Sequence, residues 1–210
     1  MSYNPTFIWE RNREGLRMHP DRNYLFYYRG CFCPPHIGHF EDAAKYLKYP
    51  NVRMIIHQMG GSRHGVPRTV NRKIWNWYID ELLPQDKIDL VQYNNETRRF
   101  PRDHPWLKDS DVIIIMRGDE VETDLKSYER LDYHRWGFVI KNARQYNIDV
   151  VFLYHLRYHE SISATAFTDS LINYKQGKHP IDEVYKFLPH KLSLTTKNKI
   201  IYLLSQCHLK

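Results

Sequence analysis

The feature that most constrains the fold is a series of short, unbroken apolar runs separated by segments with helical spacing. The runs are residues 24–28, 51–58, 87–93, 111–116 and 149–154. Continuous apolar runs are typical of strands buried on both faces, as in parallel sheets covered by helices. Helical patterns follow at residues 38–48, 69–83, 165–175 and 195–206. The sequence therefore predicts an α/β domain with a parallel sheet of about five strands and helices on both faces.

The 210 residues have the length of a single domain with decorated ends. Residues 1–22 are polar and show neither helical nor strand spacing, so we expect an N-terminal extension before a domain at 23–210. Extra C-terminal helices are expected from about residue 178. No apolar run approaches the ~18–20 residues that cross a bilayer, and no signal peptide is recognisable, so no membrane partner is predicted. Three cysteines, an odd number, favour a reducing, cytoplasmic setting.

The positive charge is concentrated in one segment. Between Ala43 and Ile79 there are seven Lys and Arg side chains and no acidic one. The whole chain has 31 Lys and Arg against 24 Asp and Glu, so the rest of the sequence is balanced. An uncompensated basic segment indicates an anionic ligand, such as a polyphosphate or a nucleic-acid backbone, or else a solvated basic face. Charge alone leaves these alternatives open.

The turn after the first apolar run carries the most specific pattern in the chain. Residues 30–39 read G-C-F-C-P-P-H-I-G-H, which resembles the G-x-F-x-P-x-H-x-G-H signature of the nucleotidylyltransferase superfamily. The matching positions are Gly30, Phe32, Pro34, His36, Gly38 and His39. The resemblance covers roughly residues 24–175 and implies a Rossmann-like fold that binds a nucleotide at this turn, Cys31 included. In such sheets ligands bind beyond the carboxyl ends of the strands, where the strand order reverses.

Elementary chemistry also supports an anion site at this turn. Gly30 and Gly38 have no Cβ, so a phosphate can approach the backbone closely. His36 and His39 are three residues apart in a first helical turn, so both imidazoles project to one side. Helix amides and the helix dipole favour an anion there, and the imidazoles can donate hydrogen bonds as charge develops. Two alternatives stay open: a zinc site that adds the two cysteines of the turn, and purely structural histidines.

The superfamily carries a second phosphate-binding helix start, of the form I-S-x-T-x-x-R, after the last strand. The corresponding segment here contains Ser161, Ile162, Ser163 and Thr165. Hydroxyl groups at a helix start contact a phosphate or simply cap the helix, and an ordinary cap is the alternative. The arginine of the pattern falls at Thr168, which is neutral. Arg157 and the arginines of the acid-free segment are candidate replacements.

The resemblance implies a reaction in which a nucleotidyl group, adenylyl in preference to cytidylyl, moves from a nucleoside triphosphate to a phosphorylated small molecule, releasing pyrophosphate. In-line attack needs no covalent enzyme intermediate, so catalysis is positioning and charge stabilisation. His36 and His39 are assigned to the charge near the α-phosphate, and Lys45 is a further catalytic candidate. Ser163 and Thr165 are assigned to the β- and γ-phosphates. Mg²⁺ is expected, held mainly by the triphosphate and not by a protein cage.

Candidate contacts to the acceptor are spread over three segments, and each has a structural alternative. They are Arg63, Arg68 and Arg72 from the acid-free segment, Trp106 from a polar segment and Asp119 after the strongest strand pattern. A single arginine is commonly a solvated surface residue, and an aspartate at a strand end is commonly a turn residue. Trp106 can stack on an aromatic ring.

Two other functions compete with a transferase. A non-catalytic nucleotide sensor on the same fold is favoured by the neutral Thr168. A nucleic-acid-binding protein would account for the basic segment but not for the signature turn, and no nucleic-acid-reading motif is visible, so nucleic acid is disfavoured as a partner. The chain is too short for a class I aminoacyl-tRNA synthetase, which shares a His-x-Gly-His motif. The sequence leaves the oligomeric state open, self-association included.

Overall fold

A six-stranded, wholly parallel sheet forms the centre of the molecule. It is seen in a computed structural model that describes residues 6–9, 15–59, 63–92, 104–117, 143–154 and 161–209. The strands are β1 (Thr6–Trp9), β2 (Tyr24–Gly30), β3 (Val52–Gln58), β4 (Ile88–Gln92), β5 (Val112–Arg117) and β6 (Asp149–Tyr154). The α-helices that lie wholly within the described ranges are α1 (Ile37–Leu47), α2 (Arg68–Leu82), α3 (Pro105–Lys108), α4 (Ala164–Lys175), α5 (Ile181–Tyr185) and α6 (Leu194–Ser205), and a 3-10 helix spans Gln85–Lys87.

The strand order is β1-β6-β5-β2-β3-β4. From β2 the chain first builds outward through β3 and β4, and it then returns to place β5 and β6 on the other side. The order therefore reverses at β2, whose neighbours are β3 and β5. The predicted α/β fold with a parallel sheet is confirmed, and the signature turn, which directly follows β2, lies at the reversal.

The N-terminal extension differs from its prediction. Residues 1–22 were expected to lack regular structure, whereas Thr6–Trp9 form β1 and pair in parallel with β6 in the register Thr6↔Val151. Within the described residues the sheet therefore has six strands, one more than the five apolar runs of the sequence. A four-residue strand at a sheet edge is too short to show a period, because its stability comes from backbone pairing with a neighbour distant in sequence.

Both faces of the sheet are covered, which explains the unbroken apolar runs. On one face Phe26 and Tyr28 of β2 pack against α1, α2 and the C-terminal helices in the larger core. On the other face Leu25 and Tyr27 join a smaller core with residues of β5 and β6. Because successive side chains point to opposite faces, each residue of a doubly covered strand must be apolar or find a partner.

The helices α1, α2, α4 and α6 lie within one residue of the predicted patterns. The short helix α3 is not predicted, because four residues are too few to show helical spacing, whereas α5 is one of the C-terminal helices expected from about residue 178. The C-terminal helical part is present and is anchored to α2 through one carboxylate: Glu81 accepts hydrogen bonds from the Ser193 amide and from the Thr196 hydroxyl. In the part of the chain described, no helix is both long and apolar enough to cross a membrane.

Candidate active site

The turn between β2 and α1 wraps around one buried aromatic ring. Phe32 has a positive φ of 45° and an almost completely buried side chain. Its ring meets Tyr28, His39 and Trp75 edge-on, at centroid distances of 4.8, 5.0 and 5.4 Å. The ring thus ties the end of β2 to the start of α1 and to α2. The peptide bond between Cys33 and Pro34 is cis.

Gly30 is needed by this ring. A Cβ at Gly30 would lie 2.7 Å from Cε1 of Phe32, closer than real Cβ contacts come. The absence of a side chain therefore allows Phe32 to fold back over the strand end. The sequence analysis gives a different reason for a glycine at position 30, namely the close approach of a phosphate. The structure adds the packing of the Phe32 ring as a second reason.

His36 and His39 cap α1 reciprocally. The Gly38 amide donates to Nδ1 of His36 at 3.2 Å, and the His36 amide donates to Nδ1 of His39 at 3.3 Å. This is the geometry of a capping box in which imidazoles replace the usual hydroxyl and carboxylate. The two rings stack, with centroids 3.7 Å apart and planes inclined by 27°. The prediction that both histidines project from one side of the first turn agrees with this pairing.

The capping bonds determine which nitrogen carries the proton. Since Nδ1 of each ring accepts from a backbone amide, a neutral ring has its proton on Nε2. His36 is only 7% exposed. Burial lowers its pKa from 6.5 to about 4, against a smaller opposing effect of the nearby Asp42 carboxylate. His36 is therefore neutral at pH 7, and Nε2–H is its hydrogen-bond donor.

The turn is held from several sides. The Tyr78 hydroxyl donates to the Pro35 carbonyl at 3.1 Å, and the Ile37 amide donates to the Phe187 carbonyl at 2.8 Å. The Cys33 thiol donates to the Arg63 carbonyl at 2.9 Å. The sequence analysis predicts that the first amides of α1 are open to an anion. In the structure the amides of Ile37 and Gly38 already donate hydrogen bonds within the protein. These two amides are therefore not open to an anion, and the imidazoles are the remaining candidate donors at the start of α1.

The zinc alternative finds no support in the described residues. Among them, no three His, Cys, Asp or Glu side chains are grouped so that they could hold a metal ion. Cys33 is buried, burial raises the pKa of its thiol, and the thiol is directed at backbone carbonyls. A metal-ligating cysteine would instead be a thiolate.

The second predicted helix start is present as α4. Ser163 is its N-cap, and its hydroxyl oxygen accepts from the Ala166 amide at 3.0 Å. Ser161 and Thr165 are exposed, and Ile162 is half-buried. The hydroxyl of Ser163 therefore caps the helix, as the ordinary-cap alternative predicts. Because a hydroxyl can donate as well as accept, the hydroxyl proton can still form a hydrogen bond to an anion.

Thr168 lies inside the protein. It is 1% exposed, and its hydroxyl donates to the Ala164 carbonyl one turn earlier at 2.9 Å. A side chain in this environment has no room for a guanidinium group. The departure from the superfamily pattern is thus built into the packing of α4. Arg157, the nearest candidate replacement, lies outside the described residues.

The structure separates the remaining candidate residues into two groups. One group lies at the carboxyl edge of the sheet. There Gln58, the last residue of β3, donates to the Arg68 carbonyl, and Arg72 donates to Gln92, the last residue of β4. Arg63 joins them through its carbonyl contact with the signature turn.

The second group lies away from the histidines. Lys45 is in the last turn of α1, about 9 Å along the helix axis beyond His39, with its ammonium 5.3 Å from the centre of the Tyr46 ring. The guanidinium of Arg53, near the start of β3, lies 5.4 Å from the Trp106 ring. The structure therefore does not bring Lys45 or Trp106 to the histidines. Asp119 lies outside the described residues.

Three further residues at the site were not singled out from the sequence. Gln58 and Asn71 are fully buried polar side chains; Gln58 is paired with Gly30 in the β2–β3 register, and Asn71 is close to Cys33. Phe187 supplies the carbonyl that binds the start of α1. A signal for the first two existed, because each occupies an apolar position of its strand or helix. Phe187 had no such signal, since its contact is made by the backbone.

Comparison with known proteins identifies the fold. No family model matches the sequence, and no curated protein matches it. Among matching solved structures is one described as a "putative nicotinate-nucleotide adenylyltransferase" from Vibrio parahaemolyticus, with a TM-score of 0.50 and 12% sequence identity. The match covers 86% of this chain and 96% of the other. This chain thus shares the Rossmann-like α/β fold of that structure over most of its length.

Proposed function

We propose that the protein is a nucleotidyltransferase that moves a nucleotidyl group, adenylyl in preference to cytidylyl, from a nucleoside triphosphate to a phosphorylated small molecule. The observation that carries the proposal is the stacked, reciprocally capped pair of histidines at the point where the strand order reverses. Two Nε2–H donors on one rigid helix start are suited to an α-phosphate that gains charge. The shared fold supports the reaction class.

In the proposed mechanism an ionised oxygen of the acceptor phosphate attacks the α-phosphorus in line, and pyrophosphate leaves. No general base is needed, because the nucleophile is already an anion. His36 and His39 donate hydrogen bonds to the non-bridging α-oxygens, and neutral His36 does so without giving up its proton. The start of α4, with Ser163 and Thr165, holds the β- and γ-phosphates. We assign Lys45 no contact with the reacting phosphate, because of its distance along α1.

The expected metal is Mg²⁺. The described residues around the turn offer imidazoles, hydroxyls and amides, and Asp42, the buried carboxylate of α1, accepts a hydrogen bond from Tyr28 at 3.2 Å. This donor set fits a cation that is bound mainly through the triphosphate. When bound, Mg²⁺ neutralises the charge of the leaving pyrophosphate. The proposed contribution of the chain is to orient the phosphates.

Arg63, Arg68 and Arg72 are proposed to attract the acceptor, since all three lie at the carboxyl edge of the sheet. Their long-range attraction is expected to weaken with salt. All three cysteines are free thiols, which fits a reducing compartment, and we propose a cytoplasmic location. Self-association is left to measurement.

A second candidate is a nucleotide sensor without catalytic activity. The buried, neutral Thr168 favours it, because a cation is missing from the position where the superfamily pattern places one. A sensor binds the triphosphate and releases no pyrophosphate.

The test is pyrophosphate release with Mg²⁺, crossing ATP, CTP, GTP and UTP with nicotinamide mononucleotide, phosphopantetheine, FMN, glycerol 3-phosphate, phosphocholine and phosphoethanolamine. The H36A/H39A protein is the loss-of-function control, and H179A, which removes an exposed histidine on a distant turn, is the matched control. Release that needs one nucleotide and one acceptor, and that disappears only in H36A/H39A, supports the transferase. If no pair of substrates gives pyrophosphate release and one triphosphate raises the melting temperature of the protein, the sensor is supported. If there is no pyrophosphate release and no triphosphate binds, both the transferase and the sensor are refuted.

A further inference from the structure

The two predicted phosphate-binding helix starts are joined by one residue that follows α5. The Phe187 carbonyl accepts a hydrogen bond from the amide of Ile37, the first residue of α1, at 2.8 Å. Its ring stacks on Phe167 of α4, with centroids 5.4 Å apart and planes inclined by only 7°. One residue thus contacts both helices, with its backbone on one side and its side chain on the other.

Both contacts are made in first helical turns. Ile37 directly follows the N-cap His36. The Phe167 amide donates to the carbonyl of the N-cap Ser163 at 2.9 Å, so Phe167 closes the first turn of α4. A displacement of Phe187 would therefore shift the N-terminal turns of α1 and α4, which are the turns proposed to contact the phosphates. The C-terminal ends of these helices would be less affected.

Phe187 is itself firmly held. Its amide donates to the Val184 carbonyl at 3.1 Å, and the neighbouring Leu188 and Pro189 are buried. Phe167 is fully buried in the larger core, against which Phe187 packs. A closely packed linkage of this kind transmits position, because packed cores deform little.

We propose that Phe187 is a positioning residue that keeps the starts of α1 and α4 at the spacing a triphosphate requires. The inference rests on the proposed function, in which the α-phosphate contacts α1 and the terminal phosphates contact α4. A nucleoside monophosphate engages α1 alone, whereas a triphosphate engages both helices. Phe187 therefore governs how much more tightly a triphosphate binds than a monophosphate.

Two variants break the linkage at different points. Phe187→Leu keeps an apolar side chain but removes the ring that stacks on Phe167. Ile37→Pro removes the amide that donates to the Phe187 carbonyl. Proline is well tolerated at the first position of a helix, and His36 before it already has the extended conformation that proline requires, with φ −132° and ψ 174°. Ile37→Val keeps the amide and is the matched control.

The measurement is calorimetric titration, in Mg²⁺, of the α,β-methylene analogues of ATP and CTP and of AMP and CMP. These analogues cannot release pyrophosphate. We expect the ratio of triphosphate to monophosphate affinity to fall about tenfold in Phe187→Leu and in Ile37→Pro, since displacements near 1 Å at a reacting centre cost this much or more. In Ile37→Val the ratio should change less than about twofold. Melting curves establish that each variant is folded.

The outcomes separate the inference from the function beneath it. An unchanged ratio in both variants, or an equal fall in triphosphate and monophosphate affinity, shows that Phe187 only stabilises the fold and overturns the inference. A fall of the ratio in one variant is sufficient support, so a failure of the other to fold leaves the inference testable. If the unaltered protein binds neither analogue, the proposed function is refuted and the inference falls with it.

Discussion

Replacing the two histidines by residues that cap equally well would separate the structural role of His36 and His39 from their chemical one. In H36S/H39Q the serine hydroxyl and the glutamine side chain rebuild an ordinary capping box, so both capping bonds can form without an imidazole. In H36A/H39A the capping bonds and the Nε2 donors are lost together. The two double variants therefore differ in helix capping and share the loss of the donors.

The expected magnitudes follow from the two capping bonds. Each bond contributes about 1 kcal/mol, so H36A/H39A should lose about 2 kcal/mol of unfolding free energy, a fall in Tm of about 4–8 °C for a chain of this size. H36S/H39Q should lose less, because only the ring stacking and the contact of His39 with Phe32 disappear. Both variants should lose activity to a similar extent, by at least about 10²–10³ in kcat.

The assay combines thermal unfolding with pyrophosphate release under the conditions that support activity in the unaltered protein. The reasoning is refuted if H36S/H39Q retains activity within about threefold, because the imidazoles would then be capping groups only. It is also refuted if H36A/H39A melts at the temperature of the unaltered protein, since the capping bonds would then contribute nothing. H179A should match the unaltered protein in both measurements.

Three further changes test the geometry of the site and the loop beside it. Between about pH 4 and 6.5 the unfolded chain binds more protons at His36 than the folded one, because burial lowers the pKa of His36 to about 4. The contribution of His36 to the unfolding free energy should therefore rise with pH across this window by about 3 kcal/mol, measured by urea titration. Gly30→Ala forces the Phe32 ring away from its place and should lower both Tm and kcat, with about 1–3 kcal/mol lost in stability. Gly65→Ala places a Cβ 1.8 Å from the His208 carbonyl oxygen at a φ of +74°, so the C-terminal segment must move and Tm should fall.

Each of these expectations has an outcome that contradicts it. His57 is also buried, with a pKa lowered to about 4, so the contribution of His36 is the part of the pH dependence that His36→Ser removes; an identical profile in that variant contradicts the assignment. Unchanged melting and kinetics in Gly30→Ala would mean that Phe32 does not position His39. For Gly65, the alanine should cost less in a chain that ends at Gln206, and an equal cost in both chains would exclude the contact with the C-terminus.

Much of the fold was predictable because it depends on local patterns. The apolar runs of β5 and β6 and the spacing of α1 and α2 are properties of adjacent residues, and each predicted element appears within one or two residues of its place. The signature turn was equally local, with both histidines and the glycines within ten positions. Their position at the reversal of strand order followed from the general behaviour of parallel sheets.

Only the tertiary structure shows which candidate site residues lie close to the two histidines. Lys45 and Trp106 were attractive by residue type, but α1 carries Lys45 away from the histidines, and Trp106 lies with Arg53. In the sequence, Thr168 stands where the superfamily pattern has an arginine, which suggests that a cation is missing. The burial of Thr168 shows that this position faces the interior of the protein. Such outcomes depend on the direction of an element in space, which a one-dimensional pattern does not contain.

The sequence by itself determined the element types, the parallel sheet and the segment that carries the histidine pair, because propensity and periodicity act over a few neighbouring residues. The pairing of β1 with β6, the fit of the Phe32 ring over Gly30 and the Phe187 carbonyl at the start of α1 were decided only by the tertiary structure. The last of these joins residues 150 positions apart through backbone atoms that every residue type possesses. No side-chain pattern could encode such a contact, and it exists only once the sheet and the C-terminal helices have packed together.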